Sequence, residues 1–310
     1  MMTANAGSLI ETMDPVHPGL RFRHYHGPQD LPGMAAANQA MRDADGILDT
    51  TSADDMAIQY ANLTNSDLDR DILIVERIDE PAGIGGYARV EWRDLTDGTR
   101  AFGSIILMNP QVRTAELARA MVAWSEAQIA HNARSLPDSD RVAVMQAYTI
   151  GEDPTLPDAL RAAGWTLQGR GYEMLREPLE DLPAMLVPEG LEFRPLVDDE
   201  RVRRAIFEAM ADAFRDHRSE PEASEEDWRH FRDDPKYDPG LWIIAFDGDE
   251  MAGGAIGLID EDLIRHHGVQ RGYVDGVFTR RAWRRRGLAR AAVARVLVGL
   301  RERGMTSAFL

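Results

Sequence analysis

An internal repeat that spans about half of the chain constrains its fold more than any other feature of the sequence. Residues 20–23 (Leu-Arg-Phe-Arg) reappear as 191–194 (Leu-Glu-Phe-Arg), and residues 113–118 align with 284–289 at the same offset. β-Rich runs between these places match as well, with Ile72 and Ile243 again 171 residues apart. Agreement at separated places indicates two copies of one folding unit. A length of 310 residues suits two ordinary domains.

Both copies have the same predicted order of elements: a strand, two helices, three strands, a loop, a further helix and a strand. Helical patterns cover residues 31–45 and 52–63 in the first copy, and 198–217 and 224–232 in the second. The three consecutive strands favour an antiparallel meander, and the helix after them crosses over to a parallel strand. The predicted fold class is therefore α/β, of the α+β kind with a mixed sheet, and differs from a doubly wound fold.

The repeat divides the chain into a flexible tail at residues 1–19, a first domain at 20–178, an acidic Pro-containing linker at 179–190 and a second domain at 191–310. The first copy continues far beyond Ala118, as far as Pro178, whereas the second ends at Leu310, soon after the matching Ala289. The second domain is thus expected to be truncated, either because the chain is a fragment or because the domain is shortened. An exposed sheet edge would then favour a homodimer.

Composition excludes several functional classes. Cysteine is absent, which removes disulfides, thiol nucleophiles and cysteine-based zinc sites, and which fits a reducing cytoplasm. A formal charge of −17 disfavours binding to nucleic acid or to an anionic membrane, although this acidity equally serves solubility. No apolar run is long enough to cross a bilayer. The eight histidines lack a His-Glu-x-x-His spacing, so no metal site is predicted.

The most informative segment is a basic loop that lies between the third strand and the last helix of the second copy. Gly287 stands where that helix is predicted to begin. Exposed backbone N–H groups at a helix start attract phosphate, and glycine lets the backbone approach it closely. Six arginines lie within this short segment: Arg280, Arg281, Arg284, Arg285, Arg286 and Arg290. The loop therefore predicts a site for a polyanionic ligand.

The order of elements, together with Arg284-x-x-Gly287-x-Ala289, resembles the GNAT superfamily of N-acetyltransferases, in the tandem arrangement typified by mycothiol synthase. The resemblance implies two tandem GNAT-like domains and acetyl-CoA as the cosubstrate. It implies that the pantetheine arm contacts the backbone of Val277, Phe278 and Thr279, with an N–H near Val277 as donor to the thioester oxygen. It implies further that the diphosphate is held by Arg284, Arg285, Arg286, Gly287, Leu288, Ala289 and Arg290.

The first copy departs from this motif. Glu116 stands where the repeat places Gly287, and the arginine cluster is missing. A carboxylate beside a diphosphate would repel it, so the first domain is predicted to have lost acyl-CoA binding and to serve as a scaffold and substrate wall. In the alternative interpretation, Glu116 points to solvent and weak binding persists.

Amine acetylation needs a base to take a proton from the nucleophile. The family resemblance points to the position of Tyr273, which is no carboxylate and is either a substrate contact or a core residue. Asp275 lies two residues further on the same strand face and is the leading candidate, unless it is a turn or bulge residue beside Gly276. Glu261 and Asp262, expected at the end of the preceding strand, are second choices.

The sequence thus predicts an acyltransferase of the GNAT type, which transfers an acetyl group from acetyl-CoA to a primary amine of a small-molecule or peptide substrate. The alternative is a non-catalytic, regulatory protein that binds acyl-CoA. Neither hypothesis involves a nucleic acid, a membrane or a metal ion.

Overall fold

The structure of the protein is a computed structural model. It describes residues 10, 13, 17–80, 83–137, 140–217 and 220–310. The chain forms two compact units, residues 1–169 and 170–310. The predicted tail at residues 1–19 falls mostly outside the described residues, and within it Met13 is buried in the core of the first unit. None of the helices that the structure describes has the length and apolar character of a membrane span.

The first unit is built on a mixed sheet with helices on both faces. Its strands pair in sequence order, antiparallel from β1 to β4 and parallel between β4 and β5. The strands are β1 (Leu20–His24), β2 (Ile72–Arg77), β3 (Ile84–Asp94), β4 (Thr99–Met108) and β5 (Val142–Ala147). The helices are α1 (Leu31–Ala44), α2 (Ala53–Asn62), α3 (Ala115–Ser135) and α4 (Thr155–Ala162).

The second unit repeats this plan. Its strands have the order β6-β11-β10-β9-β8-β7, with β10 and β11 parallel and the other pairs antiparallel. The strands are β6 (Leu175–Arg176), β7 (Glu192–Phe193), β8 (Tyr237–Asp247), β9 (Glu250–Ile259), β10 (Arg271–Thr279) and β11 (Ser307–Phe309). The helices are α5 (Glu200–Phe214), α6 (Glu225–Asp233), α7 (Glu261–His267) and α8 (Leu288–Glu302).

Local sequence explains why corresponding helices begin where they do. Ser52 accepts a hydrogen bond from the backbone N–H of Asp55, whose side chain accepts one from the backbone N–H of Ser52. Ser224 and Asp227 form the same reciprocal pair at the start of α6. Such pairs satisfy N–H groups that the first turn of a helix leaves without partners. The two copies thus share their capping chemistry as well as their order of elements.

Strand alternation divides the core of the first unit into two layers. In β2, Leu73 and Val75 face the layer that contains α3, whereas Ile72 and Ile74 face the layer that contains α1 and α2. All four side chains are fully buried, because helices cover both faces of the sheet. The mixed α/β fold predicted from the sequence is confirmed.

The boundary between the units differs from the predicted one. Strand β6, which lies within the first domain predicted at residues 20–178, pairs with β11 in the second sheet. Next to it, Met174 and Leu310 exchange backbone hydrogen bonds of 2.8 and 3.0 Å. Leu179, the first residue of the predicted linker, is 1% exposed in the core of the second unit. The outer edge of β11, expected to be exposed and available for a homodimer, is therefore covered by the chain itself.

Helix α7 lies between β9 and β10, where the sequence indicated no helix. Asp260 accepts hydrogen bonds from the backbone N–H groups of Asp262 and Leu263, and Gly268 ends the helix with a φ of 69°. Glu261 and Asp262 therefore lie in the first turn of this helix, and the expectation that they end a strand is wrong.

Candidate functional site

Strand β10 contains a β-bulge at the level of Asp275. Asp275 lies opposite Ile256 of β9, and Phe278 lies opposite Gly254, so that three steps along β10 face two steps along β9. One residue is therefore extra, and its backbone groups fall outside the ladder of hydrogen bonds. A bulge at this point makes a backbone N–H available on a strand that otherwise uses its donors for pairing.

Gly276 is the residue that makes this bulge feasible. Its φ is +52°, in the left-handed region that side chains disfavour. A Cβ atom there would lie 2.8 Å from the terminal methyl of Met210, which is too close for two carbon atoms. The N–H of Gly276 donates a hydrogen bond of 2.7 Å to Oδ1 of Asp275. The next N–H along the strand belongs to Val277, the predicted donor to the thioester oxygen.

The corresponding strand of the first unit has no such feature. β4 pairs with β3 without a register shift over its length, from Arg100 opposite Asp94 to Met108 opposite Gly86. The two copies therefore differ in backbone geometry at the place where the sequence analysis expects the cosubstrate.

The start of α8 is the second distinctive feature of the second unit. Gly287 occupies the N-cap position with a φ of 88°, and no side chain in the described part of the protein caps the helix there. A Cβ atom on Gly287 would have no described atom of the protein within 4 Å. Packing therefore does not require glycine here, whereas the positive φ favours it. The first N–H groups of α8 are thus open to an anion.

The matching helix of the first unit is capped by its own chain. Thr114 is the N-cap of α3, and its hydroxyl accepts a hydrogen bond of 3.2 Å from the N–H of Leu117. α3 begins at Ala115, which is earlier in its repeat than Leu288, where α8 begins. Glu116 therefore lies inside the first turn of α3, whereas Gly287 is the N-cap of α8. Glu116 is exposed, and a hydrogen bond from its own backbone N–H, with Arg119 nearby, lowers its pKa.

The arginine cluster is divided between two roles. Three of its six members pair with carboxylates of neighbouring elements: Arg280 with Asp212 and Glu250, and both Arg281 and Arg284 with Asp216. These last two arginines hold the pKa of Asp216 well below its usual range. Arg284 also donates to the carbonyl oxygens of Thr279 and Ala213, at 3.0 and 2.8 Å. Arg284 therefore fastens the loop to α5, and half of the charge that we expected to serve a ligand is already paired within the protein.

The other three arginines keep their charge near the helix start. Arg285, Arg286 and Arg290 are exposed and form no ion pair within the part of the chain that the structure describes. Arg286 donates a hydrogen bond of 2.6 Å to the carbonyl oxygen of Glu189. Arg285 has a φ of 64°, which is uncommon for a residue with a side chain and is typical of sites that hold a ligand.

The side chains of several predicted cosubstrate residues are packed in the hydrophobic core. Phe278 and Leu288 are 2% and 1% exposed and pack into hydrophobic clusters. Val277 is half-buried on the opposite face of the sheet. The hydroxyl of Thr279 is buried and has no hydrogen-bond partner among the described residues, and Ala289 is half-buried. Only the backbone of most of these residues is therefore available to a ligand.

The candidate base lies at the bulge itself. Asp275 is exposed, and its Oδ2 accepts a hydrogen bond of 3.0 Å from the hydroxyl of Tyr237. Burial, together with the charge of Asp275, raises the pKa of Tyr237 well above its usual value, so this hydroxyl stays protonated. Tyr273, two residues earlier on β10, is half-buried and packs edge-on against Phe309 with ring centroids 6.1 Å apart.

Tyr237 was missed at the sequence level. It is the first residue of β8, far from Asp275 along the chain, and no motif or spacing connects the two. Glu261 and Asp262, the second choices for a base, lie in α7, where Asp262 forms an ion pair with Arg265.

Residues 204–310 match the family model described as "Acetyltransferase (GNAT) family". Among curated proteins, none matches this chain significantly in sequence. One similar solved structure is a GCN5-related N-acetyltransferase from Sphaerobacter thermophilus. It is 24% identical with a TM-score of 0.67, and the match covers 94% of this chain and 86% of that chain.

Two further solved structures show the same likeness of fold. A tandem GNAT protein from the clavulanic acid biosynthesis pathway is 16% identical with a TM-score of 0.57, over 94% of this chain and 89% of that one. A GCN5-related glucosamine N-acetyltransferase region of a fungal multi-domain GH3 β-N-acetylglucosaminidase is 14% identical with a TM-score of 0.61, over 94% of this chain and 35% of that one. Residues 204–310 of this chain therefore match the GNAT family of acetyltransferases, and the whole chain has the fold of tandem GNAT proteins.

Proposed function

We propose that the second unit transfers an acetyl group from acetyl-CoA to a primary amine of a small-molecule or peptide acceptor. The observation that carries the proposal is the combination, within residues 275–287, of a strand bulge and an uncapped helix start. The bulge offers a backbone donor to a carbonyl oxygen, and the helix start offers several donors to a phosphate. An acyl-CoA molecule carries both groups.

The residues of the loop fit the diphosphate end of acetyl-CoA. The N–H groups of Leu288, Ala289 and Arg290 lie in the first turn of α8, and Gly287 leaves the approach to them open. The side chains of Arg285 and Arg286 flank this turn and supply positive charge. Acetyl-CoA brings to this site an activated thioester carbonyl.

The residues of β10 fit the acyl-transfer step. Asp275 takes the proton that the amine loses as its nitrogen forms a bond to the carbonyl carbon. The carbon–sulfur bond then breaks, and CoA leaves as its thiolate with the electron pair of that bond. The N–H of Val277 donates to the carbonyl oxygen while negative charge develops there. Tyr273 projects from the same face of β10 as Asp275 and forms part of the acceptor site.

We propose that the first unit is a scaffold that does not bind acyl-CoA. The reason lies in Thr114 and in the unbroken register of β4, not in Glu116. Thr114 uses one of the helix donors that a phosphate would need. Arg113 is held by two hydrogen bonds of 2.7 and 2.8 Å to Asp45, so its charge is already compensated.

Titration calorimetry tests this asymmetry. We expect the intact protein to bind one molecule of acetyl-CoA per chain, because α8 has an open start whereas α3 is capped by Thr114. A Thr114→Gly variant should still bind one molecule, since removal of the cap leaves β4 without a bulge. A stoichiometry of two for either protein would contradict the assignment of the first unit.

The transfer itself is tested by the release of free thiol from acetyl-CoA in the presence of a panel of primary amines. We expect amine-dependent release that saturates with both substrates. The net charge of −17 favours cationic acceptors, so polyamines and basic peptides belong in the panel. Saturable acetyl-CoA binding without thiol release for any amine would instead support the non-catalytic alternative.

The proposal places the enzyme in the cytoplasm, in keeping with a sequence that has no cysteine. It involves neither a membrane nor a nucleic acid, since nucleic acids and anionic membranes carry the same sign of charge as this protein.

A further inference from the structure

We infer that Tyr237 is a positioning residue, which holds the carboxylate of Asp275 in the orientation that receives the proton of the acceptor amine. The inference rests on the proposed function, because it assumes that Asp275 is the base. It concerns a residue on a different strand, which neither the motif nor the loop at Gly287 includes.

The hydrogen bond between the two side chains reaches across a strand. Tyr237 lies opposite Leu258 on one side of β9, whereas Asp275 lies opposite Ile256 on the other side. The phenol ring therefore extends over β9 so that its hydroxyl comes within 3.0 Å of Oδ2 of Asp275. A hydrogen bond that reaches across β9 requires that both the ring of Tyr237 and the carboxylate of Asp275 be held in place.

The ring is fixed by aromatic neighbours. Its centroid is 5.1 Å from that of Phe231 and 6.1 Å from that of Trp242, to which it is edge-on. Both neighbours are buried. An irregular arch of β8 precedes Trp242, where five steps along β8 face two steps along β9. Tyr237 therefore lies at the far end of this arch, still paired with Leu258 of β9.

The carboxylate is held at both oxygens. Oδ2 accepts from Tyr237, and Oδ1 accepts from the N–H of Gly276 in the bulge. With one donor on each oxygen, the carboxylate plane is fixed while its remaining lone pairs stay exposed. Burial keeps the phenol protonated by raising its pKa, and the negative charges of Asp275 and Asp234 act in the same direction, so Tyr237 remains a donor over the working pH range.

A Tyr237→Phe variant tests the inference because it removes the hydroxyl and keeps the ring. We expect kcat/KM for the amine to fall about tenfold, which is typical for the loss of one hydrogen bond to a charged group. The loss should appear in kcat with little change in the KM of acetyl-CoA, because the hydroxyl orients the base and does not contact the cosubstrate. The Kd of acetyl-CoA and the melting temperature should change little.

A double-mutant cycle separates positioning from a general structural role. If Tyr237 acts through Asp275, then Tyr237→Phe should cause no further loss in an Asp275→Asn background. Independent losses that multiply would overturn the inference, and so would a loss in the single variant that appears only as a higher KM for acetyl-CoA. Tyr148→Phe serves as the matched control, because Tyr148 is 81% exposed in the first unit.

The outcomes also separate this inference from the proposed function. If the intact protein does not transfer acyl groups, or if Asp275→Asn is fully active, the proposed function or its base is wrong. If the intact protein is active, Asp275→Asn is impaired and Tyr237→Phe behaves like the intact protein, only the positioning role is wrong.

Discussion

A Gly287→Glu variant is expected to bind acetyl-CoA about 100-fold more weakly than the intact protein, a loss of about 2.7 kcal/mol. Its side chain would enter the space from which the diphosphate approaches, since no described atom of the protein fills that space. Its carboxylate would also compete with phosphate for the first N–H groups of α8 and repel the ligand. Titration calorimetry measures this affinity directly.

The chain offers a closely matched control in Gly304→Glu. Gly304 follows the other end of α8, has a φ of +86°, and likewise has no described protein atom within 4 Å of a Cβ atom. Both substitutions therefore force a side chain into a left-handed conformation at similar cost. We expect Gly304→Glu to lower the melting temperature but to keep the affinity for acetyl-CoA. Equal affinities of the two variants for acetyl-CoA would contradict the assignment of the diphosphate site.

The second large effect is expected for Asp275→Asn. Loss of a general base typically costs 10²- to 10⁴-fold, and we expect a fall in kcat of about 100-fold or more. Asparagine has the shape of aspartate: its amide oxygen can accept from the N–H of Gly276, and its NH2 group can donate to the hydroxyl of Tyr237. The Kd of acetyl-CoA should therefore stay the same, which separates loss of the base from loss of the fold. Steady-state kinetics with a responsive amine, together with calorimetry, measures both quantities.

Asp249→Asn is the control for this loss of charge. Asp249 is exposed in the turn between β8 and β9 of the same unit, outside the bulge and the loop at Gly287. Its variant should have the kinetics of the intact protein. Undiminished activity of Asp275→Asn would show that another group is the base. The assignment of the cosubstrate site would not be affected.

The repeat and its sheet topology could be predicted from the sequence because they depend on local patterns. Alternating apolar residues identify the strands, and a serine followed three positions later by an acid identifies the starts of α2 and α6. The crossover helix α8 after a run of strands then implies a parallel partner for β10, which the structure has. Each of these features is decided within a short stretch of chain.

Features that depend on distant partners were not predictable. Nothing near residues 280–284 indicates that three arginines meet carboxylates, because the partner Asp216 lies 65 residues before Arg281. Strand β6 is short, and only its register with β11 shows which sheet it joins. Tyr237, which contacts Asp275, lies at the irregular end of β8, and irregular pairing leaves no periodic signal in the sequence.

The comparison of Glu116 with Gly287 failed for a different reason. A constant offset between the two copies aligns these positions, but a helix begins where a side chain or a glycine can cap it. In the first unit Thr114 provides that cap, so the helix starts earlier in the repeat. The prediction that the first unit lacks the site stays a prediction, and its physical reason has changed from repulsion to an occupied helix start.

Because Leu175–Arg176 completes the second sheet, the second copy of the repeat and the second compact unit start at different residues. A fragment cut at residue 191, where the second copy begins, would retain the bulge and the loop but would lose the partner of β11. Dissection of this chain into halves should instead follow the division after Gly169. A fragment whose ends follow the repeat alone would expose the unpaired edge of β11 and would be prone to self-association.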